Sequence, residues 1–138
     1  MRTMRLPLIL AVALCLTGYL CSGCKTTPEG ASVPDWDKLD LIGDEAISAL
    51  DGQVLVWAHR PDYVETLGNV REVLVMVDSA LHSVATGTSE PATLQDVLQV
   101  AISVLDSQIA STNPADQDML AALTSVRLVL GVIRVASI

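Results

Sequence analysis

The sequence predicts an all-α protein: an up-down-up-down four-helix bundle, preceded by a signal peptide and a flexible tether. Three observations carry this expectation. From Asp35 onward, apolar residues recur in steps of three and four, the period of a helix with one buried face. Four such runs are separated by breaks at Arg60-Pro61, Gly87 to Pro91 and Asn113-Pro114, and short connections force neighbouring helices to be antiparallel. The second pair of runs also repeats the first at an offset of 55 to 56 residues, as two duplicated helical hairpins would.

The first helix is read from the stripe Trp36, Leu39, Ile42, Ala46, Leu50, Val54 and Trp57, with Asp37, Asp40, Asp44, Ser48 and Asp51 on the opposite side. Arg60-Pro61-Asp62 breaks it, because proline lacks a donor and fits best in the first turn of a helix. The second helix runs from about Asp62 to Ala85 on the stripe Val64, Leu67, Val70, Leu74, Val77, Leu81 and Val84, with Gly87 as its stop. Its middle, Val73 to Val77, is apolar on every face. Ser89-Glu90-Pro91 opens the third helix, whose stripe is Leu94, Val97, Leu98, Ala101, Ile102, Leu105 and Ile109. Asn113 as N-cap and Pro114 at the first helical position then start the fourth. Its stripe is Leu120, Leu123, Val126, Leu130, Ile133 and Ser137. The stretch from Met119 to Ile138 has transmembrane length, but Arg127 and Arg134 inside it would each cost about 2.5 kcal/mol or more near a bilayer centre. It is read as a buried bundle helix.

The repeat is specific in its polar residues. Ala46 to Val54 matches Ala101 to Ile109 at six of nine positions, and Val70 to Leu74 matches Val126 to Leu130 at four of five. Shared helical composition explains matched Ala and Leu. It does not demand the matched Ser, Asp, Gln and Arg, which favour duplication of one hairpin. The expected repeats span 36–86 and 90–138, within a bundle of residues 36–138.

Composition narrows the function. The chain of 138 residues is 51% hydrophobic with 3% aromatic residues and no Phe, which suits a Val, Leu, Ile and Ala helix core more than a base-stacking platform. The formal charge is −8, and a strongly acidic surface repels phosphate backbones, so no nucleic-acid partner is expected. Cys15, Cys21 and Cys24 all lie in or just after the first apolar run. The bundle itself therefore has no thiol for a disulfide, a zinc site or a nucleophile.

Met1 to Arg5 carries two arginines, Leu6 to Cys21 is almost continuously apolar, and small residues follow; this is the layout of a secretory signal. Its end, Ser22-Gly23-Cys24, resembles the lipobox of bacterial lipoproteins, with Cys21 in the place usually held by Leu. The resemblance covers residues 1–24 and carries no fold or activity for the rest. It implies cleavage between Gly23 and Cys24 by signal peptidase II, with diacylglycerol and an N-acyl chain on Cys24. Cleavage would remove residues 1–23 with Arg2 and Arg5 and take the charge from −8 to −10. An ordinary secretory signal and an uncleaved anchor are the alternatives. Residues 24–35 then form the lipidated Cys and a tether rich in Pro, Gly, Ser and Thr. Lys25 after the lipidated Cys resembles the sorting pattern for the outer membrane in a Gram-negative host, facing the periplasm.

No catalytic constellation stands out. Asp35, Asp37, Asp40, Asp44 and Glu45 crowd the start of the first helix, where carboxylates complement the macrodipole; they lack the loop of an EF-hand, and no metal is expected. Counting back from the turn near Arg60 sets Asp51 level with Arg71, and the same count in the second hairpin sets Asp96, not Asp106, near Arg127. These are expected to be structural ion pairs. His59 and His82 fall at opposite ends of the first hairpin and cannot share a metal.

These readings point to a non-enzymatic, membrane-anchored lipoprotein of bacterial or phage origin, acting as a structural or protein-binding module of the cell envelope. Its partner would be an envelope protein or a second copy of the chain. The alternative is a carrier or chaperone with an apolar ligand inside the bundle, and a weaker one is a phage lysis or superinfection-exclusion lipoprotein. No cofactor is expected beyond the lipid on Cys24.

Overall fold

A computed structural model of the chain describes residues 24–26 and 32–137. Two short strands, β1 (Cys24–Thr26) and β2 (Ser32–Pro34), precede four helices: α1 (Trp36–Val56), α2 (Pro61–Ala85), α3 (Pro91–Ser111) and α4 (Gln117–Ala136). The helices form the expected four-helix bundle. Each packs against its neighbour in sequence, α1 against α2 most extensively, and a slighter contact between α1 and α4 closes the ring.

Local chemistry fixes the helix ends. Asp35 caps α1, its carboxylate accepting from the Lys38 amide at 3.3 Å. Pro61 and Pro91 sit at the first positions of α2 and α3, where a missing amide hydrogen costs nothing. Gly87, at φ 79°, takes the left-handed turn that stops α2, while the Gly87 and Thr88 amides donate to the carbonyls of Val84 and Ser83 at 3.1 and 2.8 Å.

Two expectations are corrected here. The helix α4 starts at Gln117 rather than at Pro114. Asn113 uses its side chain on the Ala115 amide at 3.0 Å, making a local turn that contains Pro114. Asp116 takes over the cap, accepting from the Met119 amide at 3.2 Å. The stretch read as tether also contains paired backbone, since β1 and β2 run antiparallel with Cys24 opposite Pro34. Three residues a side is a marginal ribbon on its own.

The helix boundaries reproduce the internal repeat. The first and last residues of α3 follow those of α1 by 55 positions, and α4 begins 56 positions after α2. The extra residue lies in the α3–α4 loop, one longer than the α1–α2 loop. Buried residues correspond as well: Leu39, Ala46 and Leu50 with Leu94, Ala101 and Leu105, then Leu67, Val70, Leu74 and Val77 with Leu123, Val126, Leu130 and Ile133. The two hairpins thus contribute matching stripes to one core.

The expected stripes line that core with small shifts of phase. Trp36, Val54, Val64, Val97, Ile109 and Leu120 are half-buried rather than buried, while Tyr63, Met119, Ala122, Val129 and Ala136 are buried. Helix α4 is long and apolar enough to cross a membrane by length and composition. Its stripe from Met119 to Ile133 is nonetheless buried in the bundle, as expected of a core helix.

Candidate functional site

The seam between α1 and α2 carries most of the charged chemistry. In antiparallel helices, residues equally far from the turn stand level. Asp51 and Arg71, each ten positions from Pro61, form the expected ion pair, with Arg71 Nε donating to Asp51 Oδ1 at 2.6 Å. Asp40 and His82 face each other in the same way, His82 Nδ1 lying 3.1 Å from Asp40 Oδ2. Between these two attractive rungs, the same register sets Asp44 opposite Asp78. That rung joins like charges.

Carboxylate oxygens of Asp40, Asp44 and Asp78 all lie within 4.8 Å of one another. Asp78 is half-buried, and its Oδ1 is enclosed with no hydrogen-bond partner. Gly43 makes this placement possible. A Cβ there would run into Asp78 Oδ1 far inside van der Waals contact and would meet Leu81 Cδ1 at 3.4 Å. Burial, then hydrogen bonding to Asp44 and the negative charges of Asp44 and Asp40, push the Asp78 carboxyl up to about 7. His82 is also raised, by its hydrogen bond to Asp40 and the negative charge there. Chemically, the cluster is a site for a proton near neutral pH.

In the second hairpin the ion pair differs from expectation. Arg127 Nε donates to Asp106 Oδ1 at 2.9 Å, and Asp96 is not its partner. The count failed because it pivoted on Asn113-Pro114, whereas α4 begins at Gln117 and shifts the register toward the C-terminal end of α3. The observed pair is the repeat equivalent of Asp51–Arg71. At the next rung the hairpins diverge: Gln99 and Arg134 stand where the first has Asp44 and Asp78, and Leu98 where it has Gly43.

A second polar group sits at the loop end of the first hairpin. Trp57 is buried, tilted against Tyr63 with centroids 4.7 Å apart and stacked on His59 at 5.9 Å. The Arg60 guanidinium lies 4.1 Å over the Tyr63 ring and pairs with Asp62 at 2.9 Å. Tyr63 donates its hydroxyl hydrogen to Asp116 Oδ1, the oxygen that caps α4, so the equivalent starts of α2 and α4 are tied together. Burial and the Asp116 carboxylate push Tyr63 up to about 12. Neither Asp78 nor Tyr63 is singled out by the sequence pattern. The equidistance rule that found Arg71 contains Asp78 as well, but attention to opposite charges hid it.

The outer faces carry unpaired apolar residues. Leu41, Leu55, Met76, Val100, Leu128 and Val135 are all more than half exposed except Leu128, at 48%. Val100 and Val104, with Gln99, Ser103, Ser107 and Gln108, line an open groove of about 440 Å³ along α3. Of the two residues at the expected lipidation site, Gly23 lies outside the described residues, and for Cys24 only the backbone position in β1 is described. No protein family, curated protein or solved structure matches the chain.

Proposed function

We propose that the chain is a bacterial or phage-encoded lipoprotein, held by acyl chains on Cys24, that presents a non-enzymatic four-helix bundle to a protein partner in the cell envelope, facing the periplasm if the host is Gram-negative. The carrying observation is the set of outward apolar side chains on all four helices, from Leu55 on α1 to Val135 on α4, with Val100 and Val104 together in one open groove of α3; grouped apolar surface of that kind is what a partner or a second copy covers. A carrier or chaperone with an apolar ligand inside the bundle is the alternative reading, whose interior would be the single buried cluster that side chains of both hairpins form.

The anchor has a direction in this reading. Cys24 pairs with Pro34, next to the α1 cap at Asp35, so the end of the bundle with the start of α1 and the close of α2 stands nearest the bilayer. The loop end with Trp57 and Tyr63 points away and is open to a partner. In-cell cross-linking followed by mass measurement tests the reading. A cross-linked species heavier than the monomer, weakened by Met76→Asp or Val100→Asp, is expected. A monomer with no cross-linked product contradicts it.

A further inference from the structure

We propose that Asp44 and Asp78 share one proton that fastens α1 to α2, making the first hairpin a pH-responsive clamp that is closed in mildly acidic conditions and loosened above neutrality. The inference stands on the geometry of the seam and does not depend on the anchor or on any partner.

Three observations converge. The register that sets two attractive rungs along the seam, His82–Asp40 and Arg71–Asp51, places two acids at the rung between them. The backbone has been cleared for this contact, since Gly43 leaves room for Asp78 that any side chain would fill. The other hairpin shows that the architecture does not require it: the corresponding positions there are Gln99, Arg134 and the buried Leu98. The acid pair and its glycine are thus a paired departure from the repeat.

The groups that bear on Asp78 are Asp44 and Asp40 across the seam on α1 and His82 one turn along α2. On α3, the other neighbour of α2, the acids Asp96 and Asp106, and Glu90 at its N-cap, are exposed and outside this cluster. With the proton in place, the Asp78 carboxyl donates to the Asp44 carboxylate and one negative charge is removed from the trio. When the proton leaves, Asp40, Asp44 and Asp78 all repel, and the enclosed Oδ1 carries charge without a donor. His82 acts in the same sense, because its attraction to Asp40 requires the protonated ring. Acidification strengthens both rungs and alkalinisation weakens both.

The experiment is thermal unfolding of the full chain in detergent micelles, with chelator present, at pH 5.5, 7 and 8.5, for wild type, Asp78→Asn and His82→Gln. Wild type is expected to lose about 5 °C in Tm between pH 5.5 and 8.5, a shift of the size that a kcal/mol-scale linkage gives a domain of this length. Asp78→Asn, which keeps the shape and a donor to Asp44, is expected to be nearly flat and to melt above wild type at pH 8.5. His82→Gln should keep most of the fall. Equal pH dependence in wild type and Asp78→Asn overturns the proposal. An Asp78 carboxyl ¹³C shift that titrates in the ordinary carboxyl range near pH 4 overturns it independently of any variant's ability to fold.

Discussion

Replacing Gly43 with alanine probes the α1–α2 seam most sharply, because two effects of similar size oppose each other and pH decides between them. Alanine in place of a mid-helix glycine gains about 1 kcal/mol from backbone entropy. At Gly52, where an added Cβ meets nothing within 4 Å, that gain should appear in full and raise Tm by about 4 °C. At Gly43 the methyl group must displace the Asp78 carboxylate toward solvent. This forfeits the proton held with Asp44. Moving a carboxyl from its ordinary value of 3.8 to about 7 corresponds to a ceiling of about 4 kcal/mol, which screening of a half-exposed group reduces to roughly 1–2 kcal/mol. For a raised carboxyl the stability is present in acid and lost as pH rises through its folded value. At pH 5.5 the loss of the shared proton should therefore cancel or exceed the helix gain, leaving Gly43→Ala at or below wild type. At pH 8.5 wild type has already lost the proton and its carboxylates repel, so the variant, with Asp78 moved toward solvent, should be more stable by at least the helix gain of about 1 kcal/mol. Thermal melts of Gly43→Ala and Gly52→Ala at both pH values are the assay. If both variants stabilise equally at both pH values, Asp78 does not rest on Gly43 and the reasoning fails.

Further outcomes follow from the other contacts. A double-mutant cycle should give a coupling of about 0.2–1 kcal/mol between Arg127 and Asp106 in urea unfolding, as for exposed ion pairs, and none between Arg127 and Asp96. Tyr63→Phe should cost about 1–2 kcal/mol by removing the bond to the Asp116 carboxylate, and ultraviolet titration of wild type should show this phenol ionising only near pH 12. Leu105→Ala, at a fully buried position, should cost about 3 kcal/mol or more, while Val100→Ala on the open face of α3 should change stability by less than about 0.5 kcal/mol.

The architecture was legible because helix periodicity, proline breaks and the repeat agree with one another. Leu39, Ala46 and Leu50 recur as Leu94, Ala101 and Leu105, and one pattern sets both halves of the core. The Asp51–Arg71 pair was legible by counting back from the turn near Arg60, because the break at Arg60-Pro61-Asp62 lies within a residue of the observed start of α2. The Arg127 partner was not legible because Asn113-Pro114 is a strong start signal ahead of the true start of α4 at Gln117, and the level positions shift with it. Tyr63 helps to hold Asp116 and stands 53 residues away in sequence, a tertiary contact that no local signal contains. Asp78 was missed for a different reason: like charges are not expected to face each other, and only the enclosed surroundings of the carboxyl make the arrangement stable. Its signature in sequence is the coincidence of two acids at level positions, Asp44 and Asp78, with Gly43 beside the first, none of which the second hairpin keeps.

The claim on which localisation and function both rest is the lipid on Cys24. Labelling expressing cells with radioactive palmitate, for wild type and Cys24→Ala, tests it directly. Wild type should take up label and fractionate with membranes, and Cys24→Ala should do neither while its bundle still melts cooperatively. Absence of label from wild type, or equal label on both, would mean that Cys24 carries no lipid.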